Sequence, residues 1–578
     1  MHKVAKMNSR LRCFTFGCLV LVSNLLFAQP GKIAKDLHHL PSRQWVHVIV
    51  QYRVPPTQKH FSQVVAKGGL VNENLPLINA AALTVKAGSL AALASDPEVA
   101  YISPDRTVTA TAIVTDFYDQ AVLAPYAWSQ SVNGTGIGVA VIDSGISANK
   151  DFSPAIGRGS RIVYSKSFVS GQTSASDAYG HGTHVAGIIA GNGMNSTGAA
   201  YTKTFQGVAY NANLINLRVL DQNGSGSDSQ VIAAIQAAIS LKAKYNIRVI
   251  NLSLGRPVYE SYKLDPLCQA VESAWRAGIL VVIAAGNEGR NDSAHTDGYG
   301  TIGAPGNDPY AITVGAMKPM GTATRADDLI ASYSSKGPTM LDHVVKPDIV
   351  APGNMAESVL ASSAATLVKS YPGNVVAHSS YSTSKTGASA YFTLSGTSMA
   401  TPVVSGAAAL LLQRTPSLTP DQVKARLMKS AYKTLPREST ATDPSTGDKY
   451  TSQYDIFTIG AGYLDIQAAL SSTDLAPSKV GSAMSPVAAL DSSGNAYLVT
   501  NSSTIWGGSV VWGTTVVWGT SVFGTTDESG KSVLWGSSAC WGTDDDDGYS
   551  VVWGTSVVWG TSATSNTEAI SIAIQGEK

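Results

Sequence analysis

Between about Gly136 and Gly289 the chain keeps returning to one alternation: a short apolar run, a longer amphipathic run, then another apolar run. GIGVAVID, NANLINLRVL, IRVINLSLG and ILVVIAAGNEG are the apolar members. HGTHVAGIIAG, SDSQVIAAIQAAISLKAKY and LDPLCQAVESAWRAG separate them. Strands that are apolar at nearly every position bury both faces, and helices between them supply the cover. Ile232, Ile235 and Ile239 share one helical face, and TPDQVKARLMKSA, with Thr419 as cap and Pro420 in the first turn, reads as a closing helix. The expectation is an α/β unit over residues 116–470, a parallel sheet covered by helices on both faces.

The flanks follow other rules. At 578 residues the chain is too long for one average core. Over residues 44–109, WVHVIVQYR, LINAAALTVKAG and EVAYISPD read as strands and TQKHFSQVVAKGG and SLAALASDP as helices. That pattern is a small α+β unit of split βαβ, ferredoxin-like type. Residues 471–578 turn rich in Ser, Thr and Gly, and SVVWGT or a close variant appears six times from Ser509 onward. A period of six puts every Trp on one face of an extended chain. Two readings stay open for this tail: a β-rich repeat packing its own tryptophans, or an aromatic strip for polysaccharide, the cell envelope or a secretion partner. Residues 1–28 combine His2, Lys3, Lys6, Arg10 and Arg12 with an apolar run to Phe27 and a small residue, Ala28. They read as a cleaved export signal, so the mature chain is expected outside the cell, free or attached to its surface. Removing that signal leaves Cys268 and Cys540, too few for a disulfide framework, and whether they pair stays open. A net charge of +1 gives no reason to expect nucleic acid as a partner.

Three polar residues stand where α/β sheets bind ligands, at strand ends and helix heads. Asp143 closes GIGVAVID, His181 opens HGTHVAGIIAG, and Ser398 lies in LSGTSMATP ahead of a small-residue helix. Taken singly, each has a plain structural reading as a cap or a satisfied core residue. Together they are a carboxylate, an imidazole and a hydroxyl. A serine becomes a nucleophile when an imidazole can take its proton, and a carboxylate fixes that imidazole's tautomer. His184, three residues beyond His181, lacks the spacing of a paired zinc motif and is assigned to structure. No metal site is read from the sequence.

VIDSGI, HGTHVAG, AAGNEG and SGTSMATP together resemble the signature blocks of the subtilase family of serine proteases, over roughly Ala127 to Leu470. The resemblance implies a subtilisin-like fold and a secreted endopeptidase needing no cofactor for its chemistry. Asp143 would orient the base, His181 would be base and then acid, and Ser398 would be the nucleophile. Asn287 and the backbone N–H of Ser398 would form the oxyanion hole. It also implies that Leu252, Ser253, Leu254 and Gly255 flank an extended peptide substrate, and that Ala284, Ala285 and Gly286 form the facing wall. Those small, uncharged walls suggest cleavage after large hydrophobic residues, and no acidic cluster calling for a basic residue is evident in them. Residues 44–109 resemble the family's inhibitory propeptide, with self-cleavage expected near Ala110–Asp116. Many relatives bind structural calcium, but no ligand set can be mapped, and Asp544–Asp547 read as a solvated turn. A Ser/Thr/Ala-rich insert from about Asn354 to Ala390 departs from the compact family pattern, either as a rim over the cleft or as a surface loop. A reading from another class, a protease-shaped binding module directed by the tail, is weakened by the completeness of the motifs.

Overall fold

A computed structural model of the chain describes residues 32–38, 40–109, 118–154, 159–292, 296–384, 386–443, 447–490, 496–499, 533–534 and 577. The export-signal segment, the Ala110–Asp116 stretch, Cys540, Asp544–Asp547 and the Trp-Gly repeats, apart from the backbone of Val533 and Leu534, lie outside the described residues.

Near the N-terminus the elements run β1 (Trp45–Tyr52), α1 (Gln58–Ala66), β2 (Leu70–Leu75), β3 (Ala80–Lys86), α2 (Leu90–Ala94) and β4 (Val99–Pro104). They form an antiparallel sheet of order β2-β3-β1-β4. Alternate residues split between its faces. Val48, Val50, Leu83 and Val85 pack in one core with Val64, Leu90 and Leu93. Ile49, Leu75, Ala80 and Ala82 face the rest of the molecule. Strand β2 is an addition to the elements read from the sequence. It is an edge strand of composition LVNENL, exposed at most positions, so it carries no apolar alternation to read. A three-residue strand, β5 (Thr107–Thr109), follows.

Beyond it, α3 (Tyr118–Ala121) and α4 (Ala124–Ser129) lead into β6 (Gly138–Asp143), β7 (Ile162–Ser167), α5 (His181–Ala190), β8 (Asn213–Arg218) and β9 (Ser225–Ser227). Next come α6 (Asp228–Tyr245), β10 (Ile247–Leu252), α7 (Pro266–Arg276), β11 (Leu280–Ala284), β12 (Ile312–Lys318), β13 (Leu329–Ile330) and β14 (Ile349–Pro352). The sheet order is β13-β12-β11-β10-β6-β8-β7, with β14 also on β12. Every pair is parallel except the short β12–β13 contact. Both faces are covered, as the apolar strands require. Val139 and Val141 of β6 join a core built with α5, whereas Ala140 and Ile142 join a core built with α6 and α7. From β6 the chain winds to β7 and β8 on one side, then crosses to β10, β11 and β12 on the other. Loops leaving β6 and β10 therefore diverge and open a crevice between them.

The remainder comprises β15 (Ala356–Val359), α8 (Thr366–Ser370), α9 (His378–Tyr381), β16 (Tyr391–Leu394), α10 (Thr397–Arg414), α11 (Pro420–Ser430), β17 (Glu438–Thr442), β18 (Lys449–Gln453) and α12 (Ile466–Ser471). Last are β19 (Val487–Leu490), β20 (Ala496–Val499) and β21 (Val533–Leu534), which form a small antiparallel sheet. Helix α10 fills the core opposite α6 and α7. The chain does not leave this body after Ser471. Ala476, Ala483, Ala488 and Leu498 belong to the same core as α10. Ser485 Oγ lies 2.5 Å from Asp348 and 2.8 Å from Lys424, all three buried. Among the described residues no helix is long and apolar enough to cross a membrane, and no cluster of His, Cys, Asp and Glu could hold a metal ion.

Candidate active site

Asp143 is the last residue of β6 and His181 the first of α5. The imidazole Nδ1 lies 2.8 Å from Asp143 Oδ1, and both side chains are fully buried. The same carboxylate oxygen accepts the N–H of Ser144 at 2.7 Å. A carboxylate on Nδ1 selects the tautomer with its proton there, so Nε2 is the basic nitrogen. This close approach depends on Gly182, where a Cβ would stand 2.3 Å from the Gly145 carbonyl and 3.1 Å from Asp143.

Sequence reasoning passed over the residue that sets this helix head. Asp177, buried and four residues before His181, accepts the N–H of Gly180 at 2.7 Å and of Thr183 at 2.8 Å. It also accepts Ser144 Oγ at 2.8 Å, and that hydroxyl in turn accepts the Gly182 N–H at 2.9 Å. Free donors in a first helical turn need such partners. Burial raises the Asp177 pKa above the ordinary carboxylate value, and the donated hydrogen bonds oppose that rise. The only sequence signal was an aspartate shortly before the histidine. His184 is a different case: its Nε2 lies 3.0 Å from the carbonyls of both Ala356 and Phe392, and burial lowers its pKa to about 3. It is a neutral core residue.

Ser398 is the second residue of α10 and is 2% exposed. Gly396 ahead of it has φ 130°, a backbone that side chains rarely adopt, and this turns β16 abruptly into the helix. The serine is tied to the end of β10 from two directions. Its Oγ donates to the Ser253 carbonyl at 3.2 Å, and Ser253 Oγ donates to the Ser398 carbonyl at 2.8 Å. Asn251 Nδ2 supports Ser253 Oγ at 2.9 Å, and Ser405, lower on α10, donates to Asn251 Oδ1 at 2.8 Å. Helix α10 also packs beside α5. The crevice at the sheet's reversal thus holds Asp143 and His181 on its β6 side and Ser398 at the mouth of β10.

Asn287 stands just past β11, partly exposed. Its Oδ1 accepts the Thr397 N–H at 2.9 Å and Thr397 Oγ1 at 3.0 Å. With the oxygen committed to the residue before the nucleophile, the amide's donor end is turned away from Thr397. Ser398 contributes a first-turn N–H, which has no acceptor within its own helix. Such donors favour developing negative charge.

Of the other candidates, Leu252 and Leu254 turn their side chains into the core shared with α6 and α7. Ser253 is engaged with Ser398, so this segment offers substrate its backbone. Gly255 leads to Arg256, which exchanges backbone hydrogen bonds of 2.9 and 2.7 Å with Ala304. Gly303 bonds the Ala285 carbonyl at 3.1 Å. Gly303 and Ala304, unread in the sequence, therefore bridge the 252–255 wall to the 284–286 wall. The insert docks beside the histidine: the N–H groups of Thr366 and Leu367 meet the carbonyls of Ala178 and Tyr179 at 3.0 and 2.9 Å. Its far side stacks Tyr201 on Tyr381.

The subtilase family model matches residues 134–462. Serine protease AprX of Bacillus subtilis is 39% identical over 307 residues, 52% of this chain, and the match spans 62% of AprX. Subtilisin E of Bacillus subtilis is 35% identical over 405 residues, 70% of this chain and 84% of the relative. An alkaline protease of Alkalihalobacillus alcalophilus is 36% identical over 340 residues, 59% of this chain and 70% of the relative.

Proposed function

The chain belongs to the subtilase family of serine endopeptidases, and on that footing we propose that Asp143, His181 and Ser398 are its catalytic triad in a secreted, self-processing protease. The observation that carries this reading is the buried 2.8 Å contact between Asp143 and His181 at the head of α5, with Ser398 at the head of α10, the helix packed against α5. Ser398 Oγ attacks the scissile carbonyl as His181 takes its proton, and Asp143 stabilises the imidazolium. The tetrahedral oxyanion is met by the Ser398 N–H and the Asn287 amide. His181 then protonates the leaving amine, and water attacks the acyl-enzyme along the reverse path. An extended peptide adds as a strand along Ser253–Gly255, with the side chain before the scissile bond directed between the two bridged walls. Their small residues fit a large hydrophobic side chain there.

Residues 44–109 serve as the inhibitory propeptide in this reading. Strand β5 pairs antiparallel with β9, Thr107 to Thr109 against Ser227 to Ser225. Asp105 accepts the Ser229 N–H at 2.8 Å and Ser229 Oγ at 2.5 Å, at the head of α6. A chain so placed leads into the Ala110–Asp116 stretch, where the cut is expected. The test is Ser398→Ala. The precursor should stay uncut by gel and N-terminal mass spectrometry, and casein hydrolysis should fall by about 10⁶-fold, the scale known for the nucleophile of subtilisin. A self-processing, casein-cleaving variant would refute the assignment.

A further inference from the structure

Arg106, the residue immediately before β5, is 7% exposed, and its side chain reaches out of its own unit to Tyr259 and Glu260. Its Nη1 and Nη2 donate to Glu260 Oε1 and Oε2 at 2.7 and 2.6 Å, a two-pronged contact. Its guanidinium carbon stands 4.6 Å from the centre of the Tyr259 ring. Asp36 completes the shell from the N-terminal side at 3.1 Å. Tyr259 and Glu260 lie on the loop that continues the 252–255 wall.

The charges behind this contact do not balance without Arg106. Arg256 is fully engaged, bonded through both carboxylates to Asp228 and Asp265 at 2.8 to 3.1 Å. At the heads of α6 and α7 and on the loop between stand three carboxylates, Asp228, Asp265 and Glu260, against the single guanidinium of Arg256. Burial and Asp265 both raise the Glu260 pKa, with Arg106 opposing them. A carboxylate whose partner departs with another segment is left needing a cation. A flat aromatic face beside a carboxylate that offers both oxygens suits a guanidinium, which can stack and fork at once, better than an ammonium.

We infer that Tyr259 and Glu260 form an arginine subsite of the processed enzyme, occupied before processing by Arg106 and afterwards by an arginine of the substrate. The inference rests on the protease reading above. The substrate arginine sits just upstream of the strand-paired stretch, as Arg106 does. Three residues of β5 follow Arg106, so the position is the fourth or further before the scissile bond. The residue at the scissile bond itself keeps its hydrophobic preference. This modifies the expectation that no acidic group in the cleft walls favours a basic residue. That group lies five residues beyond Gly255, outside the motif.

The test is a set of fluorogenic peptides sharing one cleavable segment, with a single arginine walked outward from the fourth upstream position and glutamine at each place as reference. The self-processed parent should show about a tenfold or larger gain in kcat/KM at one position. Glu260→Gln should abolish that gain while cleaving the glutamine peptides as the parent does, which also reports that the variant folds. Tyr259→Ala, at an exposed ring, should reduce the gain without removing it. Equal rates along the whole arginine series, or a gain unchanged in Glu260→Gln, would overturn the subsite and leave the protease reading standing. A parent that cleaves none of the peptides would overturn both.

Discussion

Asp308 is a carboxylate whose burial goes uncompensated. One oxygen accepts the Tyr310 N–H at 2.8 Å, and the other, buried, meets no donor among the described residues. Burial raises its pKa to about 8, with Glu272 adding to the rise. The unfolded chain releases this proton near pH 4 and the folded chain holds it to about pH 8. The folded state therefore binds the extra proton through that window, and the group's favourable contribution is lost as pH rises. Asp308→Asn should match the parent in thermal midpoint near pH 4 and exceed it by several degrees at pH 8 and above. Calorimetry across that range checks it, and a constant difference would remove Asp308 as the titrating group. His184 offers the contrast. With a pKa of about 3 in the folded chain against 6.5 unfolded, and its N–H shared between two carbonyls, its contribution runs the other way and is lost as pH falls below about 6.5. Neither consequence was readable from residue type, because neighbours distant in sequence set both environments.

At the scale of the element, the first turn of α5 is the tightest joint in the molecule's chemistry. A methyl group at Gly182 would meet the Gly145 carbonyl at 2.3 Å, and that backbone is itself held at φ 111°. Gly182→Ala should lower stability by about 1–3 kcal/mol and peptide turnover by more than a hundredfold, measured by denaturant melts and active-site-titrated kinetics. Gly373→Ala, where a Cβ meets nothing within 4 Å, is the control and should change neither. Elements whose signal is local were legible in the sequence. Apolar strands, the capped helix over Pro420–Ser430 and the four motif blocks each announce themselves within a dozen residues. Edge strand β2 was not, since an exposed LVNENL has no face to bury. Asp177 was missed because its value lies in three donors that converge only once the chain folds. Gly303 and Ala304 were missed because they act through backbone alone, and the docking of Thr366 beside Ala178 joins residues far apart in the chain. Chemistry was written in the motifs, and the supports beneath it were written in the packing.

For the whole molecule, the sequence suggests a boundary at residue 471 where the structure keeps a single body. Ser485 joins Asp348 and Lys424 in a sealed polar cluster, and Ala483 and Leu498 fill the core behind α10. A chain ending at Val499 keeps those contacts, loses β21 and the Glu577 bonds to Ser332 and Asn354, and should still fold and cleave peptides. One ending at Leu470 would leave the buried Asp348–Lys424 pair without its hydroxyl and open an apolar seam. It should melt at least 5 °C lower or fail to accumulate soluble protein. Expression yield, melting curves and peptide turnover of the two truncations decide the matter, and identical behaviour would restore the earlier boundary.

The N-terminal sheet has two apolar faces, and only one is covered by its own helices. Ile49, Leu75, Ala80 and Ala82 are kept dry by α6 and α7. If the proposed cut severs it, a segment of this size that detaches carries that face into water and loses the burial that held it compact. It becomes loose chain in the presence of an enzyme that cuts loose chain. Under the proposed self-processing, each departure would be erased before it could be reversed, turning a binding equilibrium into a ratchet whose delay is set by the first molecule to open.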